Sequence, residues 1–277
     1  MPDKLCIDDK LVTATSPEGK SATMPLDAFL ERIGPHVNGS RWMLWPTGVR
    51  AAAREGATLV WVYEQSPCVH NFLWIAPDSP APFGKDTKYR PVRIALPYVI
   101  MLAVFTPADG GNLQLSSSNE CFFRTAPLQH WDDELFYPAL LNCSKFTPPE
   151  GRSLSWICTA KMSRPPLSRE ADLHKRLCAG FEALRHCMFE TAFNRSSEHH
   201  EGASWFTESQ KVDPRIGTIE NWEAATAKDP MFPLDVPWLK TGLSLRQIVE
   251  RIFKNLGAAN ARFNSSAALA RVVFNHK

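Results

Sequence analysis

Twenty-two prolines are spread along this 277-residue chain, and they limit what it can fold into. Each proline fixes φ and removes a backbone donor, so it ends a helix or confines a strand to an edge or a bend. Long regular helices are expected only where the prolines stand aside. Two stretches qualify, Ser168 to Phe193 and Ser244 to Leu256. Elsewhere the chain predicts short elements joined by rigid, irregular connections.

Composition narrows the class further. Hydrophobic residues make up 44% and charged residues 22%, the profile of an ordinary globular chain and not of a disordered tail. Lys plus Arg is 31 against Asp plus Glu at 29, a net charge of +2. A nucleic-acid binder usually carries a clear basic excess, because phosphate neutralisation dominates its affinity; this chain lacks one. No apolar run approaches the roughly eighteen residues that a membrane helix needs. Met1-Pro2-Asp3-Lys4-Leu5 shows no apolar signal region. Seven cysteines form an odd set without repeating spacing, so they read as reduced thiols in a cytoplasmic protein.

Along the chain, Leu5 to Ala14 reads as strand, Ser16-Pro17-Glu18-Gly19 as a turn, and Leu26 to Ile33 as a short helix. Ala57 to Tyr63, Phe72 to Ile75, Val92 to Phe105 and Asn119 to Arg124 are rich in β-branched and aromatic residues and predict an antiparallel meander. Ala126 to Lys161 is proline-rich and irregular, and it carries Cys143 and Cys158. In Ser168 to Phe193, residues Leu173, Leu177, Phe181, Leu184, Met188 and Ala192 recur at helical steps behind a Ser168 cap. Asn194 to Leu239 is loop-like and dense in Trp and Pro. The fold class is α+β, with helices on one side of an antiparallel sheet. The division falls into a 1–193 α+β domain with an N-terminal hairpin and a 194–277 Trp/Pro-rich extension ending in a helix.

Cys158, in Trp156-Ile157-Cys158-Thr159-Ala160-Lys161, is the first candidate for chemistry. A helix start and the basic Lys161 and Arg164 nearby predict a thiol pKa depressed below its usual range of about 8.5. A free cysteine is also a small hydrophobe that packs in cores. Both readings of Cys158 stand. No histidine at a recognisable spacing makes it a protease-type dyad.

Several short segments run in a suggestive order: Trp45-Pro46-Thr47-Gly48-Val49-Arg50, VWVYE at 60–64, ALPYVIMLAVF at 95–105, Arg124-Thr125-Ala126-Pro127-Leu128, Leu140-Leu141-Asn142 and Trp156-Ile157-Cys158. In this order the chain resembles the prokaryotic ubiquitin-conjugating-enzyme-like proteins of the family D type, related to protein B of the PRTRC plasmid systems. The resemblance covers roughly residues 20 to 162. It implies a ubiquitin-conjugating-like fold in a bacterial protein. Cys158 would accept a ubiquitin-like modifier as a thioester and pass it to an acceptor. It also implies an adenylating enzyme of the ubiquitin-activating type as partner, no cofactor, and Asn142 as a donor to the developing oxyanion. The chain departs from the family in one respect. The interval between Asn142 and Cys158 is longer, which leaves Asn142 either a supporting donor or a turn residue bonded to its own backbone.

Two further readings belong to other classes. The same fold serves as a non-catalytic scaffold if Cys158 is inert and Trp205, Trp222, Phe232 and Trp238 hold a partner. Cys187, Glu190 and His199 suggest a metal-dependent hydrolase, since thiolate, carboxylate and imidazole together bind zinc. Against it, no His-x-x-x-His or Cys-x-x-Cys pair occurs, and a polar loop after a helix end accounts for the same residues. Asp132-Asp133-Glu134 reads as a solvated turn, and Cys143 and Cys121 as inward-facing packing residues.

Overall fold

A computed structural model describes residues 4–8, 10–33, 45–107, 113–145, 153–160, 162–163, 172–260 and 274. The expected N-terminal hairpin is a three-stranded antiparallel sheet of β1 (Lys4–Asp8), β2 (Leu11–Thr15) and β3 (Ser21–Pro25), followed by α1 (Leu26–Ile33). Val12, Ala14, Met24 and Phe29 form its small core, with Phe274 packed against them.

The central sheet grows from the predicted meander. Its path is β12 (Cys143–Ser144), β13 (Trp156–Ile157), β10 (Glu120–Arg124), β8 (Tyr98–Pro107), β5 (Thr58–Gln65) and β4 (Val49–Glu55), every neighbour antiparallel. β9 (Leu113–Leu115) joins β8, and β11 (Glu134–Phe136) links β10 to β15 (Lys240–Ser244). The run from Val92 to Phe105, expected as one strand, is two. Pro97 has no N–H to give a ladder, and the chain bends there between β7 (Tyr89–Leu96) and β8. β7 instead pairs with β6 (Cys68–Ile75), whose other edge takes the short parallel β14 (Ala192–Phe193).

β5 and β8 carry the continuous apolar runs Leu59 to Tyr63 and Tyr98 to Phe105, so both faces of the sheet need cover. One face carries Trp61, Met101, Phe105 and Phe123 against Leu177, Phe181, Leu184 and Met188 of α2 (Leu173–Phe189). The other carries Val60, Val62, Ile100, Leu102 and Val104 against Ile248, Val249, Ile252 and Phe253 of α6 (Leu245–Asn260). The α+β class stands, but the helices pack on both faces and not on one side. A continuous apolar run on central strands, in place of strict alternation, is the physical reason.

The segment expected to be loop-like, 194–239, contains α3 (Ser196–His200), α4 (Trp205–Ser209), α5 (Ile219–Lys228) and two 3-10 turns. Its tryptophans are core residues: Trp205, Trp222 and Trp238 are all buried. Trp205 stacks on Tyr137, and Trp238 meets Phe123 edge-on. They strap the irregular chain over the sheet and leave no aromatic docking face there. α2 begins at Leu173, where the Asp172 carboxylate accepts from the Lys175 N–H at 2.8 Å; Ser168, expected as the cap, lies outside the described residues.

Candidate functional site

β12 and β13 pair through Cys143↔Ile157 and Ser144↔Trp156 at the two ends of the interval between Asn142 and Cys158. Its two ends meet: the Cys158 N–H donates to the Asn142 carbonyl at 2.8 Å. The long interval therefore does not separate the pair. The Asn142 side chain is turned elsewhere. Its Nδ2 donates to Met188 Sδ at 3.4 Å, and its Oδ1 accepts from the Cys143 thiol at 3.7 Å. Both partners, Met188 of α2 and the adjacent Cys143, are weak.

Cys158 is half-buried at the C-terminal end of β13. Burial pushes its thiol above the usual value, and the Glu201 carboxylate beside it adds to the rise. The Ala160 N–H and the Ser197 and Ser196 hydroxyls favour the thiolate and oppose that shift. The net direction is upward, opposite to the depressed value expected from nearby cations. Desolvation of the charged form outweighs the donors, and Lys161 and Arg164 lie outside the described residues. Ser197, 1% exposed, stands beside both Cys158 and Glu201, and it favours the ionised form of each without full hydrogen-bond geometry to either. Burial raises the Glu201 carboxyl as well, and its Oε2 is sealed from solvent without a hydrogen-bond partner. The site is thus a protonated thiol, a buried hydroxyl and a poorly solvated carboxyl in sequence.

The neighbouring thiols are core residues. Cys121 and Cys143 are fully buried, as expected, and burial and Cys121 drive Cys143 far upward. Cys187 donates to the Cys158 carbonyl at 3.6 Å, and burial pushes its thiol up to about 11. The structure does not bring together Cys187, Glu190 and His199. Exposed Glu190 pairs with His186 at 2.8 Å and Arg185 at 3.4 Å, while His199 lies against the Phe83 ring. Among the described residues, no group of three His, Cys, Asp or Glu side chains is placed to hold a metal ion. In the acidic turn, Asp132 pairs with Arg246, Asp133 with Arg124 and Glu134 with Lys240.

Sequence reasoning missed Ser197 and Glu201, which no local spacing connects to Cys158. It also missed a second thiol cluster at the β5–β6 connection. There Cys68 Sγ lies 3.2 Å from His70 Nε2 and 3.0 Å from Gln65 Nε2. Burial between aromatic rings holds the His70 pKa down to about 4. The legible signal was Cys68-Val69-His70 in a strand, because residues two apart share one face.

Comparison with protein-family models, with curated proteins and with solved structures finds no match to this chain.

Proposed function

We propose that this chain is a ubiquitin-conjugating-like thioester carrier in which Cys158 accepts the activated C-terminus of a ubiquitin-like modifier. One observation carries the reading: the backbone bond from Cys158 to Asn142 sets side by side the two residues that the sequence resemblance singles out. In the transfer, the Cys158 sulfur attacks the acyl carbon of the activating enzyme's thioester. A new S–C bond forms, the donor thiolate leaves, and the Cys158 proton departs toward Ser197 and Glu201. A thiol raised above its usual pKa is mostly protonated at rest, but its thiolate is the more nucleophilic for it. An amine on the acceptor then takes the acyl group and returns the thiol.

The test is intact-mass measurement of the protein co-expressed with the proteins encoded beside it, before and after thiol treatment. The expected result is an added mass the size of a small protein, lost with thiol and absent from Cys158→Ala. An adduct that survives in Cys158→Ala, or no adduct at all, overturns the reading. A second reading, a non-catalytic scaffold with the same fold, draws on the burial that raises the Cys158 thiol. It predicts no adduct and a Cys158 that alkylates far more slowly than the exposed Cys6.

A further inference from the structure

The helix beside Cys158 carries two carboxylates that the fold treats differently. Glu198 is well satisfied: it accepts from Thr207, from Ser204 at 3.2 Å and from Arg195 at 2.7 Å. Glu201 is not. Its Oε2 is sealed from solvent without a hydrogen-bond partner, and so is the hydroxyl of Ser197, a residue 1% exposed. These two residues stand one turn apart, closed by the bond from the Glu201 N–H to the Ser197 carbonyl at 2.9 Å, so their side chains share one face of α3. That face looks onto Cys158 and onto Ser144 of β12: Ser197 acts on both Cys158 and Glu201, Glu201 acts on Cys158, and the Ser144 hydroxyl favours the Glu201 carboxylate. Buried polar groups that lie close together and still lack direct bonds are the usual surroundings of a bridging water.

We propose that Ser197, Glu201 and Cys158 hold a buried water, and that this water, with Glu201 as general base, hydrolyses an acyl group carried on Cys158. The inference rests on the reading of Cys158 as an acyl carrier, and it gives the acyl group a second fate when no amine is bound. Size selects the nucleophile. The free Glu201 oxygen is closed to solvent, so a protein side chain does not reach it and a water does. In the step, the water oxygen bonds to the thioester carbonyl carbon while Glu201 takes one of its protons. The carbon–sulfur bond then breaks, the acyl group leaves as a carboxylic acid, and the Cys158 thiolate recovers the proton from Glu201 by way of Ser197. Burial raises the Glu201 carboxyl above its usual value, which makes its carboxylate a stronger base than an exposed one. The carrier thus has a lifetime set by its own residues.

Acetylation of the full chain with p-nitrophenyl acetate tests the water without any modifier protein. After the reagent is removed, loss of acetyl from each cysteine peptide is followed by mass. The exposed Cys6 reports the uncatalysed rate within the same molecule. Acetyl on Cys158 should be lost about 100-fold faster than acetyl on Cys6. The intact mass should fall with it, because transfer to a lysine would keep the group on the chain. Glu201→Gln should bring the Cys158 loss down to the Cys6 rate and yet speed the uptake of acetyl, since the negative charge beside the thiol is gone. A misfolded variant would not move the two steps in opposite directions. Ser197→Ala, which keeps the base and removes one contact to the water, should slow the loss by about tenfold. Glu190→Gln, at an exposed carboxylate paired with His186, should change neither step. A Cys158 acetyl as long-lived as that on Cys6, an intact mass that does not fall, or unchanged loss in Glu201→Gln overturns the hydrolytic water and leaves Cys158 an acyl carrier. A Cys158 that takes no acetyl overturns the proposal at its premise.

Discussion

Cys158 is a thiol whose neighbours oppose one another. Burial and the Glu201 charge hold its proton on, while the Ala160 N–H and the Ser196 and Ser197 hydroxyls draw it off. Each influence has its own sign, so single substitutions move the thiol in opposite directions. Glu201→Gln removes a negative charge of similar shape, which should lower the Cys158 pKa. Its alkylation rate near neutral pH should then rise, by up to about tenfold for one pKa unit. Ser197→Ala removes a favourable hydroxyl and should slow the same reaction. The pH profile of iodoacetamide labelling at Cys158, read by peptide mass, checks both. Equal profiles in all three proteins would mean that Glu201 and Ser197 do not act on the thiol. Gly48 is a residue-scale constraint of a different kind. Its φ of +86° and the Tyr63 ring against it leave no room for a Cβ, so the Trp45–Arg50 motif turns tightly into β4.

At the scale of elements, α5 seals the open edge of β7. Ala95 gives its N–H to Thr226 Oγ1 at 2.9 Å and its carbonyl accepts from Trp222 Nε1 at 2.8 Å, both buried. Arg93 N–H donates to Glu223, and Arg90 pairs with Glu220 and Glu223. A strand edge in the core has no water to bond, so the helix supplies the missing partners. Trp222→Phe keeps most of the ring volume and strands the Ala95 carbonyl, which should cost about 1–3 kcal/mol in urea unfolding. A loss within a few tenths of a kcal/mol would mean that the bond contributes little. None of this was legible in sequence, because Ala95 and Trp222 are far apart in the chain and nothing in 219–228 marks its partner. What was legible is local. The period of Leu26 to Ile33 gave α1 at its observed bounds, and the apolar runs gave β5, β6, β8 and β10. Val92 to Phe105 failed at Pro97, where hydrophobicity continued but the hydrogen-bond ladder could not. At the candidate site only the choice of Asn142 and Cys158 came from the order of motifs. The sign of the thiol shift did not, because burial is a property of the folded chain.

For the whole molecule, one carboxylate joins parts that the sequence sets far apart. Glu120 of β10 is 1% exposed. It meets Arg251 of α6, and it accepts from the N–H groups of Leu154 at 3.1 Å and Ser155 at 3.3 Å, just before β13 and Cys158. The helix covering one face, the meander and the approach to the candidate site thus share one charge. Burial pushes the Glu120 carboxyl above the usual value of 4.5, although Arg251 and the two N–H groups pull it down. The native state therefore holds this proton at pH values where the unfolded chain has released it. Its contribution to stability is fully present below the unfolded pKa and is lost as pH rises through the folded one. Glu120→Gln should flatten that part of the stability curve. Arg251→Ala removes the compensating charge, so it should raise the carboxyl further and steepen the decline. It should also cost about 3–5 kcal/mol at pH values where Glu120 is ionised, as expected when one partner of a buried pair is removed. Urea unfolding at a series of pH values from below 4.5 upward distinguishes these outcomes. If Glu120→Gln leaves the slope unchanged, Glu120 does not titrate between the folded and unfolded states. If Arg251→Ala costs no more than a surface substitution, α6 is held by its apolar face alone, through Ile248, Val249, Ile252 and Phe253.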